Sequence, residues 1–447
     1  MGKIGKFFFN LLLGTSFVTI ISCGSTNNFP INSLILNSNI PPLNNKIRTT
    51  GKIDNRLIIN LNNNFTKQGI EEYIRKHNVK LIKTIVPLKS IVVESNKPIE
   101  QREFGIFKTA GVGEIEHDII VSIPPVEEVL SIQENPLEPF YPKDPTELTK
   151  DPASKYQYGL RQINALQAWK KSTGKGIKVA VVDTGVDLNH PDLKDNLIEG
   201  YNSIDPDKPP RDDHYHGTHV AGIIGAVANN NIGIAGVAPD SKIMPIKVMD
   251  NDGKGNASDI AQGIVWAVDH GADVINLSIG SRYKSDIQLK AINYALKKNV
   301  VVVSSMGNDG TEVKFYPAAF NEIPGLKDVI AVGSIEPKKS KSSFSNYGNW
   351  ISVTAPGSYI ASTMPSYNTR VIQEQGLVLK YGVLSGTSMS APFVSGAAAL
   401  ILSQKNNIKP SLVKSILQNS AEDLGDKGFD KYYGHGLINI SKAIKSE

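Results

Sequence analysis

Ile177-Lys178-Val179-Ala180-Val181-Val182-Asp183-Thr184-Gly185 reads as a β-strand that is closed by an acid and turned by a glycine. Its near-continuous apolar run places it in a parallel sheet buried on both faces. Downstream segments agree. Further apolar strands fall at 242–248, 274–277, 300–303 and 329–332, and helices at 217–227, 258–269 and 286–298. Strand-helix alternation predicts an α/β domain over residues 153–447, with a mostly parallel sheet and helices on both faces. In open sheets of this kind, reactive side chains gather beyond the carboxyl ends of the strands.

Three segments carry such side chains. Asp183 closes the first strand, where an acid either does chemistry or caps the following turn. His216-Gly217-Thr218-His219-Val220-Ala221-Gly222 opens a helix whose small residues permit close packing, which holds an imidazole rigidly. Two histidines three apart also suit a metal, but no third ligand follows at matching spacing. His219 therefore reads as a buried structural residue. Gly386-Thr387-Ser388-Met389-Ser390-Ala391-Pro392 precedes the small-residue run Ser395-Gly396-Ala397-Ala398-Ala399. Ser388 falls at the amino end of that helix, where unpaired N–H groups face developing negative charge.

Together, and in the order Asp, His, Ser, these motifs resemble the subtilisin-like serine peptidase family over about residues 154–445. The resemblance implies an endopeptidase that works through an acyl-enzyme. Ser388 is then the nucleophile, His216 the base and later the acid, and Asp183 the residue that orients His216. It also implies that Asn308, closing Val303-Ser304-Ser305-Met306-Gly307-Asn308, is an oxyanion donor beside the Ser388 backbone N–H. By the same resemblance, Gly253-Lys254-Gly255 and Asn276-Leu277-Ser278-Ile279-Gly280 pair with an extended protein or peptide substrate, Gly253, Gly255 and Ser278 among the contacts. Gly280, Ser305 and Gly307 line the pocket for the side chain before the cut. The segment 309–316 is shorter than in typical subtilisins. Residues 366–380 read as an insertion placed to fold over the cleft.

The implied chemistry requires no cofactor. A structural Ca²⁺ is a separate matter. His190-Pro191-Asp192-Leu193 and Asn229-Asn230-Asn231-Ile232-Gly233 resemble the family's tight calcium site, with Asp192, Asn229, Asn230 and Ile232 supplying oxygens. The loop is one residue longer, and the family's amino-terminal Gln ligand has no clear counterpart. An ordinary Asn-rich turn is the other reading.

Upstream the texture changes. Residues 53–124 read as a small α/β module, with a helix over 67–77 carrying Ile70, Tyr73 and Ile74 at helical spacing. Glu114, Glu116, His117 and Asp118 read there as a solvated strand edge. The module stands where the family carries an inhibitory propeptide, so it is expected to be an intramolecular inhibitor and folding aid. Residues 125–152 form a Pro-rich, acidic linker, the expected processing region. Lys3 and Lys6 precede an apolar run over 7–21, the pattern of a secretory signal ending at residue 22. Ile20-Ile21-Ser22-Cys23-Gly24 resembles a bacterial lipobox, which implies lipidation of Cys23 and anchoring to a bacterial membrane or cell surface. An ordinary signal peptide or an uncut anchor are the alternatives. Cys23 is the only cysteine, so it has no disulfide partner within the chain. The Asn-, Pro- and Ser-rich stretch 23–52 reads as a tether. The expected location is extracytoplasmic, with release if the linker is cut.

Composition bounds the alternatives. Apolar residues make up 40% and charged residues 20%, as in a globular protein with a sizeable core. The net charge of +5 is spread among mixed signs with no basic stripe, which argues against nucleic-acid binding. A non-catalytic surface lipoprotein that uses this fold for binding would show a lost triad residue, and none is lost. An esterase of the nucleophile-elbow type would carry Gly-x-Ser-x-Gly, which Ser388 lacks.

Overall fold

The structure, a computed structural model, describes residues 52–63, 65–126, 129–131, 149–405 and 407–445. The expected signal, Cys23 and all of the tether but Lys52 lie outside the described residues.

The described chain begins with an antiparallel sheet, an 11-residue helix and a short helical turn at Phe104–Phe107: β1 (Lys52–Leu61), α1 (Lys67–His77), β2 (Lys80–Ile85), β3 (Ser90–Glu94) and β4 (Val112–Ser122). β1 lies between β3 and β4. Period-two alternation sorts its side chains. Leu57 and Ile59 join Ile91, Val93 and the α1 residue Tyr73 in the module's own core. Ile58, Val92, Ile119 and Val121 turn the other way and merge with the core of the following domain. The Thr66 hydroxyl accepts the Gly69 N–H to start α1, and Asn78, at φ 50°, ends it. A short strand, β5 (Val129–Ser131), follows in the linker.

The larger domain comprises β6 (Lys178–Asp183), β7 (Tyr201–Asn202), α2 (His216–Gly225), β8 (Lys242–Lys247), β9 (Lys254–Asn256), α3 (Ala257–Asp269), β10 (Val274–Leu277), α4 (Asp286–Lys297), β11 (Val301–Ser305), β12 (Ile330–Ile335), β13 (Val353–Pro356), β14 (Ile360–Thr363), β15 (Tyr381–Leu384), α5 (Thr387–Gln404) and α6 (Pro410–Ser420). Seven strands form one sheet in the order β13-β12-β11-β10-β6-β8-β7, and every pair is parallel. This is the expected α/β architecture. In β6, Val179 and Val181 enter the core that includes α2 and α5, while Ala180 and Val182 enter the core that includes α3 and α4. Each fully buried valine contributes roughly 1.5–3 kcal/mol of apolar burial. The central helix α5 is buried from Thr387 to Leu402. No described helix is long and apolar enough to cross a membrane.

Candidate active site

The three residues singled out by the sequence stand at the ends of buried elements. Asp183 ends β6, His216 begins α2 and Ser388 is the second residue of α5. All three are fully buried. His216 Nδ1 lies 2.9 and 3.0 Å from the two Asp183 carboxylate oxygens, and the Thr184 N–H donates to Oδ1 at 2.8 Å. A Cβ on Gly217 would fall 2.1 Å from the Gly185 carbonyl oxygen, so glycine is what lets α2 start this close to the β6 turn. His216 Nε2 is buried without a hydrogen-bond partner among the described residues. The Ser388 hydroxyl donates instead to the Ser278 carbonyl at 3.0 Å.

Asp212 was not singled out from the sequence, yet it organises the start of α2. It accepts the Thr218 N–H and hydroxyl, the His214 N–H and the Thr184 hydroxyl at 2.6–3.0 Å. Burial lifts its pKa to about 6. The available signal was an acid four residues before His216, which on its own resembles any loop acid. His219 is structural, as expected. Its Nε2 lies 3.1 Å from the Ile360 carbonyl, and burial, then the nearby His216, lowers its pKa to about 3.

Asn308 is held by its carbonyl oxygen, which accepts the Thr387 N–H at 2.9 Å and hydroxyl at 2.7 Å. Its Nδ2 is left to face the cleft and donates to the Pro125 carbonyl at 2.6 Å. Pro125 is there because β4 runs through the cleft. Val121 stands opposite Gly255 on β9, and the Ile123 N–H donates to the Gly253 carbonyl at 3.0 Å. Ser122 and Gly280 exchange both backbone bonds, at 3.0 and 2.9 Å. Thus Gly253, Gly255 and Gly280 pair with an extended strand, and that strand is the chain's own. Beyond it, β5 pairs with β15, Leu130 opposite Val383. The Ser278 hydroxyl donates to the Ser388 carbonyl at 2.8 Å. Ser305 is fully buried, its hydroxyl without a partner. Phe315 lies against both Gly280 and Gly307.

The insertion at 366–380 braces the loop before His216. Tyr367 and Thr369 donate their hydroxyls to the Asp212 and His214 carbonyls at 2.7 and 2.6 Å, and Arg370 pairs with Asp252.

One expectation is overturned. Glu116 and Asp118 are not a solvated edge, although Glu114 is exposed. Glu116 accepts the N–H groups of Asp286 and Ile287 at 2.9 and 2.7 Å, at the start of α4. Asp118 accepts the Ser258 N–H and hydroxyl at 3.0 and 2.7 Å, at the start of α3, and pairs with Arg56 at 3.2 Å. Orphan N–H groups at helix N-termini attract carboxylates, and here the carboxylates come from a distant strand. Burial raises both pKa values, that of Glu116 to about 7.

At the calcium-like loop, Asp192 is fully buried and accepts the Asn230 side-chain amide at 2.8 Å and the Ile234 N–H at 2.9 Å. Asn230 Oδ1 accepts the Ile232 N–H at 2.7 Å, and Asn229 Oδ1 accepts the Lys150 N–H at 3.1 Å. A second acid stands where the sequence suggested no counterpart. Asp151, only 2% exposed, accepts the Asn229 and Asn231 N–H groups at 2.7 and 3.1 Å. Burial, with a further contribution from the Asp151 charge, lifts Asp192 to about 6. No group of three or more His, Cys, Asp or Glu side chains gathers among the described residues. Two buried carboxylates amid amide and backbone oxygens fit Ca²⁺, which accepts such mixed oxygen sets.

The Subtilase family profile matches residues 174–436, more than half of the chain. The chain belongs to the Subtilase family. This subtilase is 41% identical over 292 residues to thermitase of Thermoactinomyces vulgaris, covering 65% of the chain and 97% of thermitase. It is 39% identical over 300 residues to subtilisin of Bacillus pumilus, covering 66% of the chain and all of that protein. Among solved structures it is similar to fervidolysin from Fervidobacterium pennivorans, described as a keratinolytic enzyme related to subtilisin. That likeness has a TM-score of 0.77 at 28% identity and covers 90% of this chain but 62% of fervidolysin. Like the subtilisins and thermitase, this subtilase is a serine-type endopeptidase.

Proposed function

We propose that this subtilase hydrolyses internal peptide bonds of proteins with Asp183, His216 and Ser388 as its triad. The observation that carries the assignment is the two-oxygen contact between Asp183 and His216, together with the place of Ser388 at the N-terminus of α5. Ser388 Oγ adds to the substrate carbonyl while His216 Nε2 takes its proton. The carbonyl oxygen becomes an oxyanion held by Asn308 Nδ2 and the Ser388 N–H. The C–N bond then breaks, and His216 returns the proton to the leaving amine. Water repeats the sequence on the ester. Asp183 holds the His216 tautomer and stabilises the imidazolium. The substrate lies as a strand between 253–255 and 278–280.

The module at 53–124 is the intramolecular inhibitor in this reading. Support comes from β4, which fills the strand position between those two segments. Asp151, Asp192, Asn230 and the backbone around Asn229 and Ile232 are the proposed calcium ligands; the ion would supply positive charge between two buried acids. The amino terminus is proposed to be a lipoprotein signal over 1–22 with Cys23 as the acylated anchor. The support is the Ile20-Ile21-Ser22-Cys23 run and the lack of any other cysteine.

The test compares casein hydrolysis and labelling by a serine-directed fluorophosphonate in the wild-type chain and in Ser388→Ala, each after proteolytic release of the module. Both should disappear together in the variant. A wild-type chain that neither cuts nor labels, even after proteolytic release of the module, would leave the non-catalytic binding protein as the reading.

A further inference from the structure

We propose that Phe315 makes this enzyme select substrates with a small side chain before the cut. The proposal rests on the peptidase reading above and adds the substrate class. Gly280 lies on the edge that pairs with the strand in the cleft, and Gly307 (φ 92°) lies just before Asn308. A Cβ on Gly280 would fall 2.2 Å from Phe315 Cε1, and one on Gly307 would fall 2.9 Å from Phe315 Cγ. One ring therefore touches both glycine walls. Phe315 is 7% exposed, so the ring is packed in place. The next residue, Tyr316, exchanges two backbone bonds with Ser281, each 2.8 Å, which ties this segment to the Gly280 wall. Space that two glycines would open to a large side chain holds an aromatic ring of the enzyme itself. A pocket filled in this way is expected to take a side chain of alanine or serine size.

The experiment uses the full chain, treated briefly with trypsin to open the module. Peptides that differ only in Ala, Leu or Phe before the cut are assayed with wild type, Phe315→Gly and Phe315→Val. Wild type should favour Ala over Phe in kcat/KM by at least about tenfold, the scale on which apolar pockets discriminate. Phe315→Gly should reverse the order, with Phe315→Val between them. Equal use of Ala and Phe by wild type, or an unchanged preference in variants that still label with a small fluorophosphonate, would overturn the proposal alone. Absence of labelling in every version would overturn the peptidase reading with it.

A different observation carries a second inference: the chain does not cut itself where it crosses its own nucleophile. Two prolines, Pro124 and Pro125, stand there. If the bond after Pro125 faces Ser388, Pro125 has no N–H for the Ser278 carbonyl. If the bond after Pro124 does, its leaving nitrogen belongs to the Pro125 ring, a tertiary amide. The first register loses an N–H that would help fix the scissile carbonyl, and the second sets a rigid ring at the leaving nitrogen, so each disfavours a cut. The Ser278 carbonyl accepts the Ser388 hydroxyl, and His216 Nε2 has no partner among the described residues. Flanking bonds hold both sides, through Ser122–Gly280 and through β5 on β15. The inhibitor therefore remains joined to the enzyme at this point, and a cut that opens it falls elsewhere. The test follows the mass of the purified full chain alongside Pro124→Ala, Pro125→Ala and the double variant. Wild type should stay intact between residues 120 and 131, while the double variant should cut itself there and stop doing so when Ser388→Ala is added. Self-cleavage of wild type in this window, or double and single variants that all remain intact, would overturn the inference.

Discussion

Asp192 and Asp183 are both buried acids, and their surroundings give them different work. Asp183 meets an imidazole and a backbone N–H. Asp192 meets only neutral donors and the Asp151 charge nearby. Burial raises its pKa from 3.8 to about 6, so the folded state prefers it protonated. The cation-free protein then has the full benefit below the unfolded pKa and loses stability as pH rises through about 6, by up to roughly 3 kcal/mol. Calcium would reverse that loss. At about pH 8, millimolar Ca²⁺ should raise the unfolding midpoint of the Ser388→Ala full chain by several degrees. Asp192→Asn should raise the midpoint without calcium and abolish the response to it. A wild-type midpoint indifferent to both calcium and chelator would sink the site.

At the scale of elements, α3 and α4 begin without a side-chain cap from their own N-cap residues, Asn256 and Ser285. The module supplies both caps through Asp118 and Glu116. Hence β4 is a joint between two units as well as a strand of one. Glu116 docks at a raised pKa of about 7, chiefly through burial, with Asp286 and Asp118 raising it further and Lys284 and Lys290 also close by. A raised acid favours the docked state when protonated. Docking should thus be firmest below about pH 4.5, the free carboxyl's value, and weaken as pH rises through about 7. Hydrogen exchange of β1 and β4 in the Ser388→Ala chain between pH 5 and 8 measures this, and Glu116→Gln should flatten the profile. A steeper loss of protection at the acidic end would reverse the assigned sign. The small strand β5 escaped sequence reading for a related reason: it is three residues long and pairs only with β15 of the larger domain.

For the whole molecule, legibility followed how local each signal was. The apolar run at 178–182 and its repeats predicted the parallel sheet, because burial on both faces demands such runs. The Asp, His and Ser motifs stood out because glycines and small residues surround them at strand and helix ends. Asp212 and Asp151 did not stand out, because a buried acid and a solvated loop acid are written identically. Glu116 and Asp118 were misread for the same cause. Phe315 carries no local signal, since its neighbours Gly280 and Gly307 come from other segments of the chain. By itself, then, the sequence determined the α/β class, the order of the reactive residues and the family they resemble, since those depend on periodicity and on contiguous motifs. Only the tertiary structure decided which acids are buried, that Phe315 lies against Gly280 and Gly307, and that β4 and the residue after it pair with Gly253, Gly255 and Gly280. Those are contacts between residues far apart in the chain, and neither composition nor spacing encodes which surfaces meet.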